Sequence, residues 1–318
     1  MSKFKAVGGQ AVIEGVMMRG SKGIATAVRL PDGSISVDFK DTLPLTKKYK
    51  VLGLPIIRGF VSLVDSMIVG VKTLNYSASF FEDEEEEPTG FDKWFSNTFK
   101  DKSTDVLLGI SLMVSVVFSV LLFFILPTFV ANFFNKAFSL NKVLLNIIEG
   151  VIRVLIFIGY IYFIGKMKDI QRVFQYHGAE HKTIFCYEND VELTPENAAK
   201  FGRLHPRCGT NFMFLVMIVS IILFSFTPWA SLLQRTIYRI VLLPVISGVT
   251  YELIRWMGKS DSRLSKILSY PGLMLQKITT SEPDLSQLEV AIKSLKRAEG
   301  IDDPIVVEPQ DAPEVVIL

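Results

Sequence analysis

All three histidines and both cysteines of the 318-residue chain fall between positions 177 and 208. Imidazole and thiolate suit borderline-soft divalent metals such as zinc. Two histidines stand in His177-Gly178-Ala179-Glu180-His181, an H-x-x-E-H order. The third stands with a cysteine in His205-Pro206-Arg207-Cys208. On a helix, side chains four apart project side by side, so His177 and His181 can grip one ion. Glu180 sits at the flank of that face, where it could ligate the ion or act as general base toward water activated by it. The same order occurs in inverzincin peptidases, which add acidic ligands from a separate helix. Glu188, Glu192 and Glu196 are nearby candidates for that part.

A short helix capped at Thr194-Pro195-Glu196 and ending near Gly202 would turn the chain back. That path could bring His205 and Cys208 toward the histidine pair. His177, His181 and either His205 or Cys208, with water in the fourth place, would form the open shell of a catalytic zinc. All four together would close it into a structural site. Cys186 reads as a small apolar filler. Gly178 weakens the helix locally.

These residues need elements to hold them, and composition says where those lie. The chain is 49% hydrophobic and 21% charged, which points to a membrane. Four stretches approach the roughly 20 residues a spanning helix needs, at about 106–130, 143–164, 212–226 and 237–257. Lysine and arginine concentrate in the loop 166–210 and after position 257, whereas the two short loops carry only Lys136, Lys142 and Arg235. Both termini and the histidine loop are therefore expected in the cytoplasm of a bacterial inner-membrane protein. The nearly balanced charge, +2 overall, gives no reason to expect nucleic acid.

The expected fold class is an α+β membrane protein: four transmembrane helices, a small N-terminal cytoplasmic β-rich region and cytoplasmic amphipathic helices. Residues 1–81 hold that β region, with strands at 16–19, 24–29 and 35–39, plus an amphipathic helix. That helix suits the membrane surface as well as the sheet. Residues 82–102 form an acidic linker and an interfacial aromatic segment. The membrane domain is 103–258, with a histidine loop at 166–210 in which 169–188 extends the second span as a helix. An interfacial segment and helix follow at 259–299, then a loose tail at 300–318.

Two further polar features bear on the site. Glu252 and Arg255 sit near the end of the fourth apolar stretch, where a local ion pair is the simpler reading and a place near the metal the bolder one. Glu14 and Arg19 stand among glycines in GGQAVIEGVMMRG. They could pair with each other or complete the site with the histidine loop.

The runs GGQAVIEGVMMRG, PIIRG (55–59), YHGAEHKTIFCYE (176–188), HPRCGTNF (205–212) and PGLMLQKITTSEPD (271–284) together resemble the bacterial membrane family called Domain of Unknown Function 1385. The resemblance covers almost the whole chain. It implies a metal-dependent enzyme without naming a substrate, and it joins the N-terminal motif to the histidine loop. The expectation is thus a metal-dependent hydrolase, with Glu180 as base and a divalent ion, zinc foremost, on His177, His181 and His205 or Cys208. Glu14, Arg19 and Glu252 would stand behind these ligands. The alternative is a non-enzymatic membrane adaptor with a structural metal. Expected partners are the lipid bilayer and an unidentified substrate or protein, with homo-oligomerisation open.

Overall fold

The computed structural model describes residues 7–42, 45–81, 103–228, 231–260 and 262–301. The acidic run at 82–87, the aromatic residues at 91–99 and the tail from 302 lie outside the described residues. The fold is α+β. The described residues fall into two compact units, one built from those up to Phe80, Ile161–Val216 and those from Leu242, the other from those of Phe81–Tyr160 and Met217–Val241.

The first unit is organised by an antiparallel meander of β1 (Gly8–Val12), β2 (Gly15–Arg19), β3 (Ile24–Arg29) and β4 (Ile35–Lys40). Three strands fall where alternation and turns predict them. β1 is an addition, since its Gly8-Gly9-Gln10 reads as a turn by composition. Side chains alternate between two faces, and both are covered. One face carries Val16, Met18, Ala25 and Ala27 into a core shared with Tyr176, Ala179, Leu288 and Leu295. The residues from the C-terminal region belong to a helix, here α11 (Leu285–Glu299), capped by a reciprocal Asp284–Gln287 box. The Ser294 hydroxyl donates to the Ala25 carbonyl at 2.9 Å. The helix expected within the interfacial stretch 259–299 is therefore a structural wall of the β region. Its Leu288, Ile292 and Leu295 stripe buries against the sheet.

The other face meets α2 (Ile57–Ala78), which follows a single helical turn, α1 (Leu45–Lys48). Arg19 pairs with Asp65 at 2.8 Å, Ser36 with the Tyr76 hydroxyl at 3.0 Å, and the Ile13 amide donates to Ser77. The residues α2 buries are small: Gly59, Gly70, Thr73 and Ser77. Its large apolar side chains face outward, with Met67 63% and Val71 59% exposed. The helix is amphipathic as expected, but with its apolar face turned away from the sheet.

The remaining long helices are apolar. α3 (Ser103–Val120) passes through a π turn at Leu121–Ile125 into α4 (Leu126–Phe138). Helix thus continues past the expected end near 130, until Ser139 in a left-handed conformation stops it. α5 spans Lys142–Ile164, α8 Gly209–Ser225 and α9 Leu232–Met257. Three of the described helices are long and apolar enough to cross a bilayer: Met113–Phe138, Lys142–Ile164 and Leu233–Met257. α8, the third of the four expected spans, is shorter at 17 residues.

Candidate functional site

The histidine motif sits on α6 (Lys168–Glu188). α6 is a separate helix, not the continuation of α5. A turn at 165–167 divides them, and Met167 leaves helical geometry at φ −70°, ψ 136°. Asp169 in the first turn complements the positive end of the helix dipole. Tyr176, Ala179, Ile184 and Cys186 anchor α6 in the core. Cys186 is buried among apolar neighbours and its S–H points to the Val191 and Glu192 carbonyls, so it acts as filler. Gly178 has a steric reason: a Cβ there would lie 2.1 Å from the Ser281 carbonyl oxygen. The chain after α10 (Arg263–Thr279) crosses α6 at that point, where the Ser281 amide donates to the Phe174 carbonyl at 2.9 Å.

That crossing sets the imidazoles. His177 Nδ1 lies 2.9 Å from the Thr279 carbonyl oxygen, and His181 Nδ1 lies 2.5 Å from that of Arg203. A carbonyl only accepts, so each Nδ1 carries a proton, and Nε2 is the nitrogen left to act as a ligand. The His177 Nε2 stands 3.1 Å from Cys208 Sγ. The His181 Nε2 is buried and meets no hydrogen-bond partner among the described residues. An orphaned buried acceptor costs about 1–3 kcal/mol. One ligand atom from each of His177, His181 and Cys208 falls within 4.8 Å of the others. Two imidazole nitrogens and a sulfur, each imidazole oriented from behind by a carbonyl, form a donor set suited to a zinc-like ion.

Glu180 is buried beside this trio and accepts a hydrogen bond from the Gly9 backbone N–H. Burial pushes its carboxyl pKa upward, with His177 and the Gly9 amide partly opposing the shift. Gly9 is on the edge strand β1, so its outward amide is free for this contact. A Cβ there would sit 2.5 Å from the Met17 carbonyl oxygen and 3.1 Å from Glu180 Cδ. The approach of β1 to α6 therefore requires glycine.

His205 lines the same cleft, its ring centroid 5.7 Å from that of His181, but its nitrogens have other partners. Its Nε2 lies 3.5 Å from Glu188, its Nδ1 accepts from the Arg207 amide at 3.3 Å, and Arg207 pairs with Glu188 as well. Burial lowers the His205 pKa, against the hydrogen bond to Glu188. Of the two open candidates for third ligand, the structure brings Cys208 to the histidine pair and engages His205 with Glu188. Glu192 and Glu196 are exposed. Thr194 caps α7 (Pro195–Ala199) through the Asn197 amide at 3.3 Å, and the helix ends before the expected Gly202.

The three residues expected behind the ligands have other partners. Glu14, in the β1–β2 turn at φ +48°, binds Arg172 and accepts from the Tyr176 hydroxyl at 3.1 Å. Arg19 pairs with Asp65 and lines the cleft that holds the trio. Glu252 accepts from Arg58 Nε at 2.6 Å, so its main partner is the arginine of PIIRG and not Arg255. Sequence reasoning missed Gln276 as well. Its side-chain amide clamps the His205 backbone, accepting from N–H at 2.8 Å and donating to C=O at 2.7 Å. The motif at 271–284 holds the site from behind through Gln276 and Thr279.

The cleft has a volume of about 930 Å³. Its polar floor is His177, Glu180, His181 and Cys208. Its walls include Val7, Phe174, Phe212 and Met213, together with the inner face of α2 at Gly59, Ser62 and Ser66.

These features define an α+β protein with apolar helices of membrane-spanning length and a histidine–cysteine cluster in a cleft. Residues 54–300 match a family described as a protein of unknown function, DUF1385, and the chain belongs to that family. It is 38% identical over 322 residues to the "Uncharacterized protein YqhQ" of Bacillus subtilis (strain 168), covering 95% of this chain and 97% of the relative. No solved structure matches. Both descriptions leave function open, so the metal-dependent activity implied by the family resemblance draws no support from them.

Proposed function

We propose that this protein is a multi-pass membrane hydrolase whose site holds one divalent metal ion, zinc foremost, on His177, His181 and Cys208. The observation that carries this reading is the locked pair of Nδ1–carbonyl contacts. They leave both Nε2 atoms free to face a ligand, that of His177 3.1 Å from the Cys208 sulfur and that of His181 unsatisfied among the described residues, with the three ligand atoms within 4.8 Å of one another. Three ligands facing a cleft fit an open, catalytic shell better than a closed one. An ion there supplies Lewis acidity toward a polarised substrate oxygen and toward water.

The chain's own residues supply the rest. Glu180 takes the proton from the attacking water. The Gly9 amide holds its carboxylate in place. The apolar walls limit water around the reacting atoms.

The membrane part of the reading is four spans with both termini and the site in the cytoplasm. The lysine and arginine distribution supports it. α8 has 17 residues and reaches about 26 Å, which a locally thinned bilayer accommodates. The outward Met67, Ile68 and Val71 of α2 support lipid as the expected partner of that face.

Glu180→Gln provides the test, because glutamine keeps the size but cannot take the proton. The variant should retain one metal ion per chain by elemental analysis and fail to complement a deletion strain. Normal complementation by the metal-loaded variant would overturn hydrolysis with Glu180 as base and leave a structural metal in an adaptor.

A further inference from the structure

Within the second unit, Glu149 of α5 is 2% exposed and meets three arginines. Arg153 lies one turn along α5, 2.9 Å from Oε1. Arg235 and Arg239 come from the first turns of α9 and bind Oε2 and Oε1. The Thr128 hydroxyl donates to Oε1 at 2.9 Å. Among the described residues the cluster is one carboxylate against three guanidiniums, −1 + 3 = +2. Ionisable groups at this depth in apolar helices are expensive and need a partner or a water-filled cavity.

Two of the excess donors have identifiable tasks. Pro127 has no N–H, so the helix is one backbone donor short just after the Phe123 carbonyl. Arg153 Nε donates to that carbonyl at 2.9 Å, beside the π turn. Arg235 closes on Glu149 Oε2. Arg239 is different. It lies between the rings of Phe124 and Phe224, 5.5 and 5.7 Å from their centroids, and one Nη2 contact reaches Glu149. Its Nη1 is buried with no hydrogen-bond partner among the described residues. The Arg239 side chain is only 10% exposed, so this is a buried donor in a net-positive site.

We propose that the Glu149–Arg153–Arg235–Arg239 cluster binds an oxyanion of the phosphate class through Arg239 Nη1. A phosphate carries acceptor oxygens in the geometry a guanidinium prefers, and its charge offsets the surplus. Glu149 sets the number of charges left over and holds the arginines together. The anion can come from a phospholipid headgroup or from free phosphate.

The experiment uses the full-length protein in phosphate-free dodecyl maltoside micelles, in the same micelles with added phosphatidylglycerol, and in the same micelles with added inorganic phosphate. Thermal unfolding is followed in each. A lipid headgroup as ligand should raise the Tm by about 4 °C or more with phosphatidylglycerol alone, and free phosphate should do so in the third arm. Arg239→Gln should lose the increment in both ligand arms. Arg239→Lys should keep part of the increment. Lys136→Gln, a change at an exposed cation of α4, should keep all of it. Equal wild-type stability in all three arms would overturn the proposal, as would an undiminished increment in Arg239→Gln. If Arg239→Gln does not fold, the wild-type comparison and Arg239→Lys decide alone.

Discussion

The two buried polar clusters of this protein have opposite unmet needs. In the cleft of the first unit, His181 Nε2 is an acceptor without a donor among the described residues. In the second unit, Arg239 Nη1 is a donor without an acceptor among the described residues. Around the first stand a second imidazole, a thiol and a carboxylate, which welcome a cation. Around the second stand two more guanidiniums and a single carboxylate, which welcome an anion. The supports differ too. Backbone carbonyls fix the imidazoles, whereas the arginines share one carboxylate, with the Phe123 carbonyl and two aromatic rings as further supports. One cluster should therefore survive loss of any single charged neighbour, and the other hinges on Glu149.

The largest expected effect breaks the second cluster. Glu149→Gln leaves three buried guanidiniums with no carboxylate, and removing one partner of a buried charge network costs about 3–5 kcal/mol. Thermal unfolding in detergent should show a fall of about 10 °C, or the variant should fail to accumulate. A Tm within a degree of wild type would contradict the asymmetry.

The next effect tests the first cluster. Chelation should lower the wild-type Tm by about 5–10 °C, since a ligand at a hundredfold its Kd contributes about 2.7 kcal/mol. The double variant His177→Ala/His181→Ala should not respond. His205→Ala should still respond, because Glu188 and not the ion holds that ring. A chelator response lost in His205→Ala would place His205 in the ligand set and redraw the site.

The smallest effect supplies a reference for both. Asp284 and Glu289 on α11 are ordinary paired carboxylates. Burial pushes Asp284 upward, but hydrogen bonds from Ser286 and Gln287 outweigh it and hold its pKa below the usual 3.8. Arg29 holds Glu289 below the usual 4.5. Depressed folded values mean these pairs stabilise the fold above the unfolded pKa and cease to do so as pH falls through the folded values, below about 4. The double variant Asp284→Asn/Glu289→Gln should flatten the acid limb of a pH–stability curve measured by fluorescence. An unchanged limb would assign acid sensitivity to other groups.

Much of the architecture could be read from residue patterns. Period-two alternation located β2, β3 and β4, and the Leu285, Leu288, Ile292 and Leu295 spacing located α11. β1 was hidden because glycine serves there for close approach to Glu180 and Met17, a tertiary demand without a local signature. The i,i+4 spacing of His177 and His181 gave the site its axis. The choice between His205 and Cys208 depended on Gln276 clamping the His205 backbone, a contact 71 residues away in sequence. Glu252 illustrates the same limit: proximity suggested Arg255, while Arg58 reaches it across 194 residues.

The placement of α11 has a consequence for biosynthesis. Its Ser294 closes on Ala25, 269 residues earlier in the chain. At 5–20 residues per second, the ribosome delivers the lid of the sheet roughly 10–50 s after the strands emerge. Throughout that interval Val16, Met18, Ala25 and Ala27 lack the helix that buries them. The nascent β meander must wait, sheltered by chaperone or by the lipid surface, until translation is nearly over. A message truncated before codon 285 would yield a chain with all its apolar helices and an uncovered sheet, marked for quality-control proteolysis.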